Sequence, residues 1–422
     1  MTEEKKIIVD YSDNKNYLFK IKNSCLELPD YFKISQVEND NIFPGLCQKV
    51  SECKCLIDIE EYSKNWDRSK RKTNPFELVH IFGTNLFKNE KYIDKNIENY
   101  SPLSRAFFKM LEIYDNLDII PKENKTSSGK IAHLAEGPGG FMEAIFKKRK
   151  QNKFEDKFYG ITLHPKNRNI PGWSQLNRRK LHPLHHPDVK MLTGDMYKVS
   201  TLVNFSRYFN DEKAFLVTCD GGFDYSKDFN NQERNSWRII FCEVVLSFMI
   251  QKKGGTLVCK MFDLFSTFSL QIIYIVTFLY EEVHIFKPCT SRPANSERYF
   301  IAKKFKGIPI NIMKSMLGII ERWDEITTAE KISSNNLEWS NIKWLHIIIN
   351  NLSLPADYIK EIYDINNILA NKQKKYIELT LDYIRGNENP KWKEIQILLA
   401  KEWFDKYNIL TKNDIKNMFY HQ

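Results

Sequence analysis

The sequence predicts an α/β protein: a doubly wound, mostly parallel, seven-stranded Rossmann-like sheet with an N-terminal extension and a helical C-terminal extension. Three observations carry this. Between about Lys130 and Phe305, short β-branched or aromatic runs alternate with segments of helical period, the pattern of strands joined by crossover helices. The first run leads into HLAEGPGGF (His133–Phe141), where an acid, a proline and three glycines separate strand from helix. From about Gly307 onward, long helical patterns replace the strand-like runs.

Taken in order, residues 1–99 form an Asn- and Lys-rich extension whose runs assign no fold. Residues 100–306 form the sheet domain. Its expected strands are Lys130–Ala135, Lys157–Leu163, Asp188–Leu192, Ala214–Cys219, Gly255–Lys260, Glu281–Phe286 and Arg298–Phe305. Between the fourth and fifth, Trp237, Ile240, Phe241, Val244, Val245 and Phe248 follow the i, i+3, i+4, i+7 spacing of a helix over Gln232–Gln251. Residues 307–422 read as the helical extension, with one helix stopped at Gly386 and another carrying Trp392, Ile395, Leu399 and Trp403 on one stripe.

Composition narrows the function. Hydrophobic residues at 42% and aromatics at 13% supply a real core. The apolar run Phe268–Tyr280 is too short and too polar to span a bilayer, and no signal-peptide pattern opens the chain. Cys219, Cys242 and Cys259 sit in apolar runs as packed free thiols, which fits a reducing, cytosol-like compartment. Cys25, Cys47, Cys53 and Cys55 lack the paired spacing of a zinc site, and His182, His185 and His186 read as a surface or groove-lining loop, so no metal is expected. The net charge of +10 is concentrated in Lys64–Lys72, Lys147–Lys153 and Asn177–Lys180. These clusters are either a polyanion footprint, with Trp66 placed to stack on a base, or solvated surface.

Ligands of doubly wound sheets sit beyond the carboxyl ends of the strands. There the turn after the first strand brings Gly137, Gly139 and Gly140, through which backbone and helix amides can approach a small molecule. The fourth strand ends in Asp220, the fifth in Lys260, and the last is entered through Glu297, while Lys109 lies on a helix before the first strand. Each alone is an ordinary turn or snorkelling residue. Together they place two amines and two carboxylates at one sheet edge.

In that order Lys109, Asp220, Lys260 and Glu297 resemble the Lys-Asp-Lys-Glu tetrad of the FtsJ/RrmJ-type ribose 2'-O-methyltransferases. The surrounding SRAFFKMLEI, EGPGGF, TCDGG, LVCKMF and KPCTSRPANSERYF are similar to that family's motifs over about residues 100–306. GITLHP and LTGDM point to its adrift-type, cap-directed branch, including relatives in large DNA viruses.

The resemblance implies S-adenosylmethionine as methyl donor, held by Glu136, Gly137, Pro138, Gly139, Gly140 and Phe141, with Asp195 at the adenine and Asp220 beside the methyl. The second strand ends without an acid for the donor's ribose, which leaves Tyr159 or Thr162 as the groups nearby. Lys260 is the expected general base, used in its neutral form. Lys109 and the donor's sulfonium lower its proton affinity, whereas Asp220 and Glu297 raise it.

The substrate implied is RNA, at the capped 5' end of mRNA, in the cytoplasm or, for a viral member, in a virus factory or virion, alongside capping-machinery partners. Ribosomal or transfer RNA is the alternative substrate. A non-catalytic RNA-binding subunit that kept the fold is the alternative class.

Overall fold

The computed structural model describes residues 16–22, 28–37, 40–86, 102–164, 172–179, 182–222, 230–333, 347–387 and 391–407. In the N-terminal extension these are strands β1 (Tyr17–Ile21) and β2 (Ile34–Gln36), then helices α1 (Pro44–Ile57), α2 (Glu60–Lys72) and α3 (Glu77–Leu86). The middle runs α4 (Ala106–Leu117), β3 (Lys130–Leu134), α5 (Gly140–Gln151), β4 (Lys157–Thr162), α6 (Ser174–Arg178), β5 (Val189–Thr193), α7 (Val199–Ser206) and β6 (Ala214–Cys219). It continues with α8 (Gln232–Ile250), β7 (Gln251–Met261), α9 (Thr267–Leu279), β8 (Tyr280–Lys287) and β9 (Arg298–Phe305). The C-terminal extension holds α10 (Ile310–Ser333), β10 (Ile347–Ile349), α11 (Ala356–Ile384) and α12 (Trp392–Lys406).

All seven expected strands lie in one sheet of order β1-β8-β9-β7-β6-β3-β4-β5. The eighth, β1, comes from the N-terminal extension and pairs antiparallel along the edge of β8. Strands β7, β6, β3, β4 and β5 are parallel, while β9 lies antiparallel between β7 and β8. The chain leaves β3 toward β4 and β5, then returns to lay β6 on the other side of β3. The order therefore reverses between β3 and β6, and a ligand crevice opens at such a switch.

Strand alternation divides the core in two. Ala132, Leu134, Val217, Cys219, Leu257 and Cys259 bury one face against residues of α7, α8, α9 and α10. Ile131, Leu216, Val258, Tyr299 and Ile301 bury the other against α4, α5 and α12. The two chain extensions also meet. Strand β10 pairs with β2, Trp66 of α2 packs with Ile377 and Leu381 of α11, and the Gln396 side chain of α12 donates to the backbone of Arg71, Lys72 and Asn74.

Candidate active site

The turn after β3 is built around Glu136. Its buried carboxylate oxygen Oε1 accepts the N–H groups of Phe141 and Met142 at 2.6 and 3.1 Å, which satisfies the first amides of α5. Those amides are therefore taken by protein, contrary to the expectation that they face a ligand. Oε2 of the same carboxylate has no hydrogen-bond partner. Burial, and then the neighbouring Asp220, push this carboxyl well above its ordinary range.

The glycines also serve the packing of the turn. Gly139 has φ +113°, and a side chain there would point at Leu103, Leu184 and Trp173. At Gly140 a Cβ would collide with Ser104 Oγ and meet the first backbone of α4. The turn needs glycine at 139 for its left-handed conformation and at 140 to let α5 reach α4. Phe141 is fully buried and packs tilted against Tyr299, 5.7 Å between ring centres. The Gly137–Pro138 bond is cis.

Three further strand ends reach this turn. Thr162 Oγ1 accepts the Gly137 N–H at 3.3 Å, and the Thr162 carbonyl accepts the Gly194 N–H at 2.9 Å, which sets Asp195 beside it. Asp195 Oδ1 in turn accepts the Tyr197 N–H at 3.0 Å. Asp220 continues β6 through its N–H to the Leu134 carbonyl. Tyr159 is not in this group. Its ring packs on Tyr208 and Phe209 and lies under the Lys130 amine, toward the amino end of β3. The structure thus places Tyr159 away from the turn, whereas Thr162 lies at it.

Beside the turn stand two ion pairs. The Lys260 amine lies 3.0 Å from Asp220 Oδ1 and donates to the Asp220 carbonyl at 2.7 Å. The Lys109 amine lies 2.6 Å from Glu297 Oε1, which also accepts the Tyr299 hydroxyl at 2.7 Å. Burial drives the Glu297 carboxyl upward, but Lys109, then Lys260, and the bonds from Lys109 and Tyr299 outweigh it and hold the carboxyl down at about 2. Glu297 is thus an anion at neutral pH. Lys260 pairs in register with Tyr299 across β7 and β9, which links the two pairs.

Other groups that hold this arrangement were not signalled by sequence. The buried Glu112, three residues after Lys109 on α4, accepts the backbone N–H of Cys289 at 2.8 Å, that of Thr290 at 2.9 Å and the Trp403 indole at 3.0 Å. The Cys289 N–H is shared with Asn16 Oδ1 at 2.8 Å. The buried Lys287 amine donates to the carbonyls of Asn295 and Glu297. Asp263, three residues past Lys260, joins Arg298 at 3.0 Å and Lys54 at 3.1 Å. Tyr299 did carry a signal, since residues two apart on a strand share a face.

The basic clusters resolve unequally. In Lys147–Lys153, Arg149 is buried on Asp156 and on the carbonyls of Asn124 and Ser127, Lys148 pairs with Asp115, and Lys150 with Asp188. That run is largely internal structure and not a groove flank. Trp66 is buried in the α2–α11 contact, so it is not a stacking platform. Trp173 and Trp237 are buried too. On α2, Lys64, Arg68, Arg71 and Lys72 are exposed. Lys180 lies outside the described residues, while Arg178 is exposed.

His182 is buried under α5, 3.4 Å from Glu143 Oε1, whereas His185 and His186 remain at the surface. A cavity of about 170 Å³ between α1 and the start of α8 is lined by Lys54, Asn231, Arg234 and Asp263 among others, and by none of the expected site residues.

Residues 102–305 match the FtsJ-like methyltransferase family. Over 382 residues the chain is 26% identical to the cap-specific mRNA (nucleoside-2'-O-)-methyltransferase 1 of Mus musculus, covering 84% of this chain and 40% of that protein. The Trypanosoma cruzi protein of the same name is 32% identical over 215 residues, covering 49% of this chain and 58% of its own length. The fold is also similar to a solved Plasmodium falciparum chain described as a ribosomal RNA methyltransferase, with TM-score 0.35 and 20% identity, covering 49% of this chain and 99% of that one.

Proposed function

We propose that this chain, which carries an FtsJ-like methyltransferase domain over residues 102–305, methylates the ribose 2'-oxygen of RNA at the cap-proximal nucleotide of mRNA. The observation that carries the reading is the meeting of Lys260–Asp220 and Lys109–Glu297 beside the glycine turn at the switch of strand order. Similarity to cap-specific relatives supports the choice of substrate.

The donor is S-adenosylmethionine, which supplies a methyl group on a positively charged sulfur. The residues present fit it: Glu136 keeps an unpartnered buried carboxylate oxygen at the turn, and Thr162, Asp195 and Asp220 ring the crevice from three strand ends. Glu136 and the Gly137–Gly140 backbone would hold its methionine end, Asp195 its adenine, and Thr162 its ribose.

Catalysis then rests on alignment and proton removal. The 2'-oxygen attacks in line, its bond to the methyl carbon forming as the carbon–sulfur bond breaks, and holding that geometry supplies much of the acceleration. Lys260, neutral when it acts, takes the hydroxyl proton, and Asp220 aims its amine. Lys109 and the Glu297 anion orient the ribose.

The RNA approaches over α2. Its exposed Lys64, Arg68, Arg71 and Lys72 lie near the loop that delivers Glu297, close enough for Arg292 of that loop to act on the Asp67 carboxyl. The enzyme works on cap structures that the capping machinery has already built, in a reducing, cytoplasmic compartment. Free thiols at the described cysteines support this. No helix among the described residues is long and apolar enough to cross a membrane.

The test is transfer of labelled methyl to short RNAs that differ only at the 5' end, followed by nuclease mapping. Label on the ribose next to the cap is expected. Equal label in uncapped ribosomal or transfer RNA would redirect the substrate, and donor binding without any transfer would leave a non-catalytic RNA-binding subunit.

A further inference from the structure

Alternation along β7 sends Lys260 to the α4 face of the sheet and Cys259 to the opposite face, where α8 presents Glu243. Glu243 is fully buried. Its Oε1 accepts the Gly221 N–H at 2.9 Å, and its Oε2 receives the Cys259 thiol at 3.9 Å. The peptide group between Asp220 and Gly221 is thereby held at both polar ends, because its carbonyl accepts the Lys260 amine at 2.7 Å.

We propose that Glu243 is a positioning residue for the methyl transfer inferred above, on which this inference rests. A peptide group is planar, so its N–H and C=O cannot turn independently. Anchoring Gly221 N–H from behind the sheet fixes the direction in which the Asp220 carbonyl faces, and that carbonyl holds the amine of the base. Gly221 is matched to this contact, since a Cβ there would come within 2.6 Å of Glu243 Oε1.

The chemistry of Glu243 suits the role. Burial lifts its carboxyl to about 8, ahead of the opposing pull of Lys260 and the Gly221 hydrogen bond. At neutral pH it accepts a hydrogen bond without adding a third anion next to Lys260, where Asp220 and Glu297 already favour the charged amine. The other titratable groups acting on it are Asp220 and the Cys259 thiol. Cys219, Glu243 and Cys259 lie within 4.8 Å of one another, the spacing of a metal triad. Burial raises all three, Cys259 to about 11, and the Cys259 thiol donates to Glu243, so the cluster is joined by hydrogen bonding.

The test compares the full-length chain with Glu243→Ala and Glu243→Gln in three measurements: kcat and KM for capped RNA, donor affinity by calorimetry, and exchange of the Gly221 amide by NMR. Glu243→Ala is expected to lower kcat by about 10- to 100-fold, the usual cost of losing a supporting bond behind a working group. Donor affinity and RNA KM should stay within about threefold, because neither ligand touches Glu243. Glu243→Gln keeps an oxygen acceptor and should recover most of the loss. Gly221 exchange should speed up by about tenfold in Glu243→Ala while the Asp220 amide, bonded to Leu134, keeps its protection. Should Glu243→Ala not fold, Glu243→Met, of similar length without the acceptor, takes its place with the same expectations.

A folded variant without the acceptor whose kcat matches wild type would overturn the proposal, as would a folded Glu243→Gln as slow as Glu243→Ala. If wild type itself transfers no methyl to RNA, the proposed function fails. The Gly221 exchange then decides alone whether Glu243 holds that peptide.

Discussion

The two ion pairs of the site are held by different kinds of order. Lys260 and Asp220 stand at neighbouring ends of parallel strands, where the register Cys219 to Cys259 sets both at once. Lys109 and Glu297 come from a helix and from the loop between two antiparallel strands, with no register in common. A buried carboxylate substitutes for it: Glu112 ties the Lys109 helix to Cys289 and Thr290 of that loop and to Trp403 of the C-terminal helix. One half of the site is thus a product of the sheet. The other depends on side chains hundreds of residues apart, including groups from both chain extensions.

Breaking the sheet-borne half should have the largest effect. Lys260→Ala is expected to lower kcat by about 10²- to 10⁴-fold with donor affinity by calorimetry unchanged, the range for losing a general base. Lys260→Arg should fail similarly, because guanidinium stays charged. An Arg variant with full activity would remove lysine as base and erase the distinction between the halves.

The helix-borne half should break at its brace. Glu112→Ala strands the Thr290 N–H and the Trp403 indole and leaves the Cys289 N–H to Asn16 alone; a buried donor without a partner costs about 1–3 kcal/mol, so a loss of roughly 2 kcal/mol or more is expected. Denaturant unfolding reads it, and an unchanged midpoint would mean that Glu112 holds nothing. RNA KM should rise more than donor Kd in the same variant, since the displaced pair is the one proposed to orient the ribose.

The same half should be the acid-sensitive one. The folded value of Glu297, about 2, lies below that of an unfolded glutamate. Its contribution is therefore fully present above about pH 4.5 and is lost as the pH falls toward 2, with a size on the order of 3 kcal/mol at neutral pH. The unfolding free energy of wild type minus that of Glu297→Gln, followed against pH, should be flat above about pH 5 and shrink below it. A gap that does not change with pH would contradict the pairing.

The smallest effect concerns the surface. Arg68→Gln with Arg71→Gln should flatten the salt dependence of RNA binding by about 0.7 for each phosphate of a single strand that is no longer neutralised. Lys148→Gln, which releases Asp115 on an internal run, should leave that slope alone. Equal slopes in all variants would move the RNA path off α2.

The sheet and its strand-end residues were legible because an apolar run announces its own end, and Asp220 and Lys260 stand where the runs stop. Lys109 and Glu297 were found through family motifs, and their contact could not be read from spacing, being 188 positions apart in numbering. Glu112 carried no signal, since nothing nearby in sequence offers the donors it takes. The run Lys147–Lys153 misled for the same reason: Arg149 turns inward to Asp156, and a charge run does not say which members do so. Trp66 could have been placed, because Tyr62, Trp66, Ser69 and Thr73 share one stripe of α2, the mark of a packed face. Tyr159 lies on the strand that ends at Thr162, but its ring turns to Lys130 at the amino end of the neighbouring β3.

The Glu112 brace also sets an order of assembly during synthesis. Trp403 lies 291 residues beyond Glu112, and at about 5–20 residues per second it leaves the ribosome roughly 15–60 s later. In about the second half of that interval, once β7 has emerged, the parallel strands can already pair, so Lys260 and Asp220 come together on a nascent chain while α4 still lacks its indole donor. A ribosome stalled short of α12 would display a chain whose parallel strand ends are already in register while the Lys109 helix is not yet tied to the C-terminal extension. Completion of α12 is the step that closes the brace.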